Sequence, residues 1–488
     1  MSFWKKLYIE QKEKRIMGKL FTKFLLLLLF GLVFIIIYLS YFGIETDKFD
    51  SIIKTKANEA YKYAKLDFKK TKIHLNPKEL NLVVKLQNPK IFIKNNEVIL
   101  SKIDLFLPLK SFISSDFLLK RAEIALFRND IKDLVKISNA FLPKFFNKKL
   151  NKIFSSGNLQ GEFVIPFNSD GSIANNYKIN GKILDATLNI NKDFQIKNLS
   201  TDIEYSYKSE KDKKINFFIN QGEILNLDIQ KSSIDINLGG IEKIIEFKIK
   251  TSGTSKYSEI RTISSLIGLD IDDIKNIELK SNLEISAKLS LDNRLKIKQE
   301  AFLVKGKINE LDVEHKNFNG IKKIIPSYNS KFSLKDTQVN LDQKNNLNLI
   351  GLIKFDKEFE EFSLKYTDIG NKNFNINGKI GLNDLSLKIP NLNYDKKKYT
   401  KANLDFFIKS FKSGYYINNF VYTSEKTKIS LDKIKLSKKF QIQDILKVEV
   451  KTFLNGLKNN DFKIRKLDKK NIIIQGELFD AEPLLKTL

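Results

Sequence analysis

The chain contains no cysteine. Disulfides, thiolate catalysis and cysteine-held zinc or iron–sulfur centres are excluded with it. There are two histidines, His74 and His315, each isolated in strand-like sequence, so H-E-x-x-H motifs and histidine triads are absent. No P-loop, G-x-S-x-G or G-x-G-x-x-G occurs. Eight prolines are spread over 488 residues, and no Pro/Gly/Ser-rich stretch is long enough for a domain linker, which predicts one continuous body. Arginine is scarce: Arg15, Arg121, Arg128, Arg261, Arg294 and Arg465 are all there are, and lysine supplies the rest of the positive charge behind the net +28. Arginine is the residue that reads guanine edges and forks phosphates, so a nucleic-acid partner is not expected. Lysine as solubilising surface and strand-edge protection accounts for the charge. Asp270, Asp272 and Asp273 lack the glycine and closing glutamate of a calcium loop and read as a helix boundary. Carboxylates are plentiful, but nothing singles out a hydrolase pair. No enzymatic activity, cofactor or metal is expected.

What is present begins with one long apolar run. Residues 24–42 read FLLLLLFGLVFIIIYLSYF without a charge. At ~1.5 Å per residue, about 19 helical residues nearly match a ~30 Å hydrocarbon core. Lys5, Lys6, Lys12, Lys14, Arg15, Lys19 and Lys23 precede the run, while Glu45 and Asp47 follow it. The positive-inside bias then predicts a cytoplasmic basic segment (1–23), a membrane anchor (24–42) and a body on the far side. Phe24, Leu28, Leu32, Ile36 and Phe42 are the anchor positions, with Tyr38, Tyr41 and Phe42 forming an interfacial aromatic belt. A cleaved signal peptide is the competing reading; its apolar region would be unusually long, and no small-x-small site follows.

Next comes an expected juxtamembrane amphipathic helix (43–66), capped by Thr46, with Phe49, Ile52, Ile53, Ala57, Ala60, Tyr61 and Ala64 at three- and four-residue spacing. From 67 to 488 the apolar period is mostly two, as in Leu80, Leu82, Val84 and Leu86 or Leu283, Ile285, Ala287, Leu289 and Leu291. Asn95-Asn96, Asp170-Gly171, Asp292-Asn293 and Ser413-Gly414 punctuate the runs as turns. Helical interruptions are expected near 131–153 and 256–275, the first carrying Ile131, Leu134, Val135 and Ile137 before Pro143, the second Ile260, Ile263, Leu266, Ile267 and Ile271. A loose repeat of strand, glycine, polar residue and strand recurs around Gly181, Gly222, Gly306, Gly378 and Gly476, where a bulge or bend would let a long sheet curl. The fold class is therefore mainly β: a single N-terminal transmembrane helix, then a long curled antiparallel sheet (a β-groove) with a few short helices. Roughly 25–35 strands at ~4.8 Å spacing would make a trough on the order of 120–170 Å long. Its lining candidates are Ile179, Ile183, Leu188, Ile190, Leu283, Ile285, Leu289, Ile376, Ile380, Leu385 and Leu387. Alternation alone leaves open which strand face points inward.

In their order these features resemble the AsmA-like family of Gram-negative envelope proteins. The likeness rests on LLKRAEIALFRND (118–130), SGNLQGEFVIPFNSDGSIANNYKINGKILDATLNI (156–190), FQIKNLSTDIEY (194–205) and the closing IIIQGELFDAEPLLKTL. The resemblance implies an inner-membrane anchor, a periplasmic body and a groove that binds or guides phospholipid, contributing to outer-membrane lipid homeostasis or biogenesis. Phospholipid acyl chains and the membrane are then the expected partners. Many long relatives continue with further strands past a segment similar to GELFDAEPLL, where this sequence ends at Leu488. A periplasmic or outer-membrane protein at the C-terminal end is a further expected partner, docked on an exposed last strand ending near Phe479. The alternatives are a non-enzymatic periplasmic scaffold or assembly factor for outer-membrane proteins, working by strand-edge pairing, and an envelope enzyme with an unrecognised carboxylate site.

Overall fold

A computed structural model describes residues 3–60, 64–94, 96–109, 118–138, 144–190, 194–240, 242–266, 271–292, 297–316, 322, 324–371, 373–439, 441–468 and 471–485. Tyr61, Asn95, Pro143, Ile267, Asp270 and Asn293, named above, lie outside them.

The charge-free run becomes the second half of one helix, α1 (Phe3–Tyr41). Lys19–Tyr41 is long and apolar enough to cross a membrane, a test that an anchor and a signal sequence both pass. The helix stops where glycine permits: the N–H groups of Phe42 and Gly43 both donate to the Tyr38 carbonyl, at 2.8 and 3.2 Å. Gly43 then takes the left-handed conformation (φ 69°) that ends helices. Phe42 thus lies just beyond the helix, its ring stacked on Tyr38 with centroids 5.4 Å apart.

The expected helix over 43–66 is shorter, and strands flank it. Ile44–Thr46 is strand β1, paired antiparallel with β3 (Lys70–Asn76) so that Ile44 faces Ile73 and Thr46 faces Thr71. The backbone groups of β3 at that edge take a partner there, and this outweighs a further helical turn. Thr46 accordingly does not cap the helix, although its Oγ1 accepts the Lys48 N–H at 3.1 Å. Helix α2 is Asp50–Ala60, and Ala64–Asp67 is strand β2. The amphipathic spacing holds within α2, whose Ile53 is buried in a core with Ile73, Val84, Ile103 and Leu107.

Two compact units follow from the contacts. The first comprises residues 1–189, 200–217 and 237–240; the second comprises 190–199, 218–236 and 241–488. In the first unit β3 pairs with β4 (Asn81–Gln87), β5 (Lys90–Ile93) bridges β2 and β6, and β6 (Asn96–Pro108) joins β4 to β7 (Arg121–Asp130). Helices α3 (Ile131–Ser138) and α4 (Lys144–Ile153) interrupt as expected before β8 (Phe154–Pro166) and β9 (Tyr177–Asn189). Strands β10 (Gln195–Ser209), β11 (Asp212–Ile224) and β12 (Leu227–Asn237) come next and are divided between the two units.

The second unit is a meander. Strands β13 (Lys243–Ser255), β14 (Ile274–Leu291), β15 (Ile297–His315), β16 (Lys331–Asp342), β17 (Leu347–Lys354), β18 (Phe359–Gly370) and β19 (Asn373–Gly381) pair antiparallel in sequence order. Helix α5 (Tyr257–Leu266) lies between β13 and β14. A separate hairpin of β20 (Leu387–Ile389) and β21 (Tyr394–Lys396) then intervenes. The ladder resumes from β19 to β22 (Ala402–Phe411), β23 (Gly414–Ser424), β24 (Thr427–Ser437), β25 (Ile442–Leu454), β26 (Leu457–Lys466) and β27 (Ile472–Leu478). The four residues of α6 (Glu482–Leu485) follow. Among the described residues, β13–β19 and β22–β27 thus form one continuous antiparallel ladder in the second unit.

Two repeat glycines answer a steric demand. Gly306 (φ 150°) sits opposite Leu283 beside a register shift at Lys280/Ser281, and a Cβ there would run into the Asn282 backbone. Gly378 lies opposite Phe406, whose ring occupies the space a Cβ would need. Gly306→Ala is expected to lower folding stability by about 1–3 kcal/mol through backbone strain. The shift of the urea midpoint, at unchanged slope, measures it.

Candidate functional site: an apolar face and the segment that caps part of it

Residues directly opposed in an antiparallel ladder point to the same face, so the register decides what the sequence left open. In the second unit one row runs Ile249, Ile285, Val304, Leu341, Leu347, Tyr366, Ile376, Ile408, Ile417, Ile434 and Ile445, each opposite the next. A second runs Val339, Leu349, Leu364, Gly378, Phe406, Phe420, Leu431, Val448, Ile464 and Ile474. The neighbouring row on the other face is Lys250, Glu284, Lys305, Asn340, Asn348, Lys365 and Asn377. One face is apolar across the meander and the other is polar.

Bulges keep the faces apart where the period-two pattern breaks. Leu334 and Thr337 share the apolar face although they are three residues apart, because Asp336 between them adopts φ 49°. Lys433 (φ 53°) does the same for Leu431 and Ile434. An extra residue in the left-handed conformation restores the parity that its insertion would otherwise invert.

The sequence candidates fall into groups. Leu283, Ile285, Leu289, Ile376 and Ile380 all lie on this apolar face, opposite residues such as Thr251, Ile249, Ile245, Tyr366 and Phe362. In the first unit Ile179 faces Phe163, Ile183 faces Leu159 and Leu188 faces Phe154, again apolar pairs. Ile190 lies beyond the end of β9 and is 54% exposed, its N–H donating to the Phe194 carbonyl at 2.8 Å. Leu385 is buried between β19 and β20, and Leu387 is in β20, outside the main sheet. The alternation of GKIGLNDLSLKI reads as one strand, but the segment leaves the sheet at Asn383 and Asp384. The anchor positions Phe24, Leu28, Leu32 and Ile36 lie on α1, and Phe24, Leu28 and Leu32 are exposed. The two histidines serve packing positions: His315 Nε2 is 2.5 Å from the Tyr328 hydroxyl and its Nδ1 2.6 Å from the Lys316 carbonyl, while His74 lies opposite Val83.

Exposure divides the apolar face of the second unit. On β13–β19 most of its side chains, Phe247, Ile249, Ile285, Val304 and Leu341 among them, are only half-buried, although Leu334, Ile353 and Phe362 form a small buried cluster within it, with Leu349 and Leu364 packed against them. On β22–β26 Ala402, Tyr422, Ile434, Val450 and Phe462 are at most 5% exposed, and half-buried neighbours such as Leu404, Ile417, Phe420 and Leu431 pack against them. Full burial of such an aliphatic or aromatic side chain is worth about 1.5–3 kcal/mol, so the half-buried stretch leaves hydrophobic stabilisation unrealised. A cleft of about 810 Å³ opens beside it, lined by Phe247, Ala287 and Phe302 with Glu246 and Lys288.

What covers β22–β26 is the segment between β19 and β22. Tyr394 joins their buried cluster, and Leu382, Leu387, Ile389 and Leu392 pack against it. Polar groups hold both ends of this cap. At its base Glu360 Oε1 and Oε2 accept the N–H groups of Asp384 and Asn383 at 3.0 and 2.9 Å. Asp384 Oδ2 accepts those of Lys357 and Glu358. Lys396 Nζ donates to the carbonyls of Leu385 and Asn383 at 2.7 and 3.0 Å. Burial lowers the Lys396 pKa, against the pull of Glu360 and Asp384. At its tip the Leu392 carbonyl accepts from Asn459 and Asn460 at 3.1 and 2.8 Å, and Asn393 Nδ2 donates to Asp480 at 3.0 Å. Over the middle, the Tyr394 and Tyr422 hydroxyls are 3.0 Å apart. Sequence reasoning missed this cap; its signal is the Asn383-Asp384 break in alternation followed by Pro390.

Among the described residues no cluster of three metal-ligating side chains occurs. Removing the Asp384 carboxylate strands the Lys357 and Glu358 N–H groups, and Asp384→Ala is expected to cost about 1–3 kcal/mol. Exposed pairs such as Lys379–Asp405 should cost under about 1 kcal/mol when broken; urea denaturation compares the two. The Tyr422 phenol is pushed well above its ordinary range, first by burial and then by its bond to Tyr394. The unfolded tyrosine ionises near ~10, so its contribution to stability is complete below that pH and is lost as pH rises further. Urea midpoints measured up the alkaline limb should therefore fall less steeply for Tyr422→Phe. Compared with protein-family models, curated proteins and solved structures, the chain matches none.

Proposed function

We propose that this protein binds phospholipid by its acyl chains along the apolar sheet face and guides it between membranes, from a body tethered by α1. The observation that carries the reading is the half-buried apolar stretch on β13–β19, backed by a polar row on the opposite face. An aliphatic chain laid on it would supply the missing cover at ~0.8 kcal/mol per methylene. The resemblance to AsmA-like proteins adds an inner-membrane anchor, a periplasmic body, a β-groove shape and a part in outer-membrane lipid homeostasis. In this reading α1 crosses the inner membrane with its lysine-rich end in the cytoplasm.

Two experiments test it. Ile285→Asp places a charge on the apolar face, and Ser286→Asp places one on the polar face. Lipid extracted from the purified protein should be lost with the first and retained with the second; equal retention would refute the reading. The absence of cysteine makes topology directly measurable. A single cysteine at Ser413 should react with a membrane-impermeant maleimide in cells with a permeabilised outer membrane, and one at Ser2 should not.

A second reading is favoured by one observation. Strand β27 pairs with β26 alone among the described residues, with Ile472 and Ile474 56% and 63% exposed. That edge lacks the lysines that usually guard one, and it suits a β-strand of a periplasmic or outer-membrane partner. Ile473→Pro should abolish partner crosslinking along β27 while leaving lipid content unchanged.

A further inference from the structure

The cap over β22–β26 stands on the same rows that are left half-exposed on β13–β19. The rows pass between the two stretches without a break: Ile376 faces Ile408, Gly378 faces Phe406 and Ile380 faces Leu404. Nothing in the register ends the apolar face at β19. What ends its accessibility is Leu387, Ile389, Leu392 and Tyr394, laid against the rows by residues 382–396. These aliphatic and aromatic side chains offer the face the kind of surface an acyl chain would.

The way the segment is held differs from the way the sheet is held. Its hairpin β20–β21 forms a separate two-stranded sheet, with no ladder to the meander among the described residues. It is tied at its base by Glu360, Asp384 and Lys396 and at its tip by Asn459, Asn460 and Asp480. The base is not fully satisfied, since Asp384, 1% exposed, keeps Oδ1 buried without a hydrogen-bond partner. Between these ties the Ser386 N–H donates to Ser327 Oγ at 2.9 Å and the Tyr394 and Tyr422 hydroxyls meet, while backbone bonds to the body are confined to the root, from Leu382 to Ala402 and from Tyr399 to Asn383. A segment held beyond its root by side-chain contacts can lift without unzipping a strand, whereas a strand in the ladder cannot.

We propose that residues 382–396 are a built-in plug. They occupy the lipid-binding face over β22–β26, confine acyl chains to β13–β19, and on release extend the site toward β27. This rests on the lipid-binding function proposed above, and the test separates the two.

A photo-crosslinking residue is placed at Leu364, on the open stretch, or at Phe420, beneath the plug. The full chain is mixed with vesicles of phosphatidylethanolamine and phosphatidylglycerol carrying an alkyne-tagged phosphatidylethanolamine. The intact protein should capture the tagged lipid at Leu364 and not at Phe420. Replacing residues 386–396 by a glycine–serine linker should raise capture at Phe420 to the Leu364 level. Equal capture at both sites in the intact chain overturns the plug, as does no gain at Phe420 in a linker variant that still captures at Leu364. No capture at Leu364 in the intact chain overturns lipid binding, and the plug with it. If the linker variant fails to fold, Asp384→Asn serves instead. It should speed amide exchange across 385–396 and raise capture at Phe420; faster exchange without added capture, or neither change, overturns the plug.

Discussion

An apolar sheet face in water has to be covered, and most of what is distinctive in this molecule follows from how that demand is met. In the first unit α2 and the small strands around β5 supply cover for residues such as Ile73, Val84 and Ile103. On β22–β26 a hairpin supplies it. Between β13 and β19 the cover is incomplete, although the side chains there are as apolar as elsewhere. The same interaction therefore builds a core in two places and leaves an unfilled demand in a third.

Much of the architecture was legible because alternation is a short-range signal. The strand-rich body, the apolar N-terminal helix and the helices at 131–138, 144–153 and 257–266 all follow from period and charge. Leu283, Ile285, Leu289, Ile376 and Ile380 were legible for the same reason, and the ladder puts them on one face. What alternation could not supply was relative register. The bulges at Asp336 and Lys433 show why: each breaks the pattern locally and preserves the face globally.

Two misjudged segments have a common cause. Residues 44–46 were assigned to a helix by amphipathic spacing and instead pair with β3. Leu385 and Leu387 were assigned to the sheet by alternation and instead belong to the cap. In both, local propensity was overruled by a long-range partner invisible in the local pattern: a strand edge for the first, a buried polar tie for the second. Glu360, Asp384 and Lys396 are 24 and 12 residues apart and carry no motif. Only the fold reveals them as a group.

The meander also bears on how such a chain can change over generations. From β13 to β19 each strand of the second unit pairs with the one that follows it in sequence, until β19 passes over the hairpin to β22. A single-residue insertion within one strand would swap its wet and greasy sides unless a left-handed residue such as Asp336 absorbed it. Duplication or loss of a whole hairpin would disturb nothing but the sheet's extent. Selection on length in this molecule is thus quantised: it can be edited two strands at a time, and hardly at all by single residues.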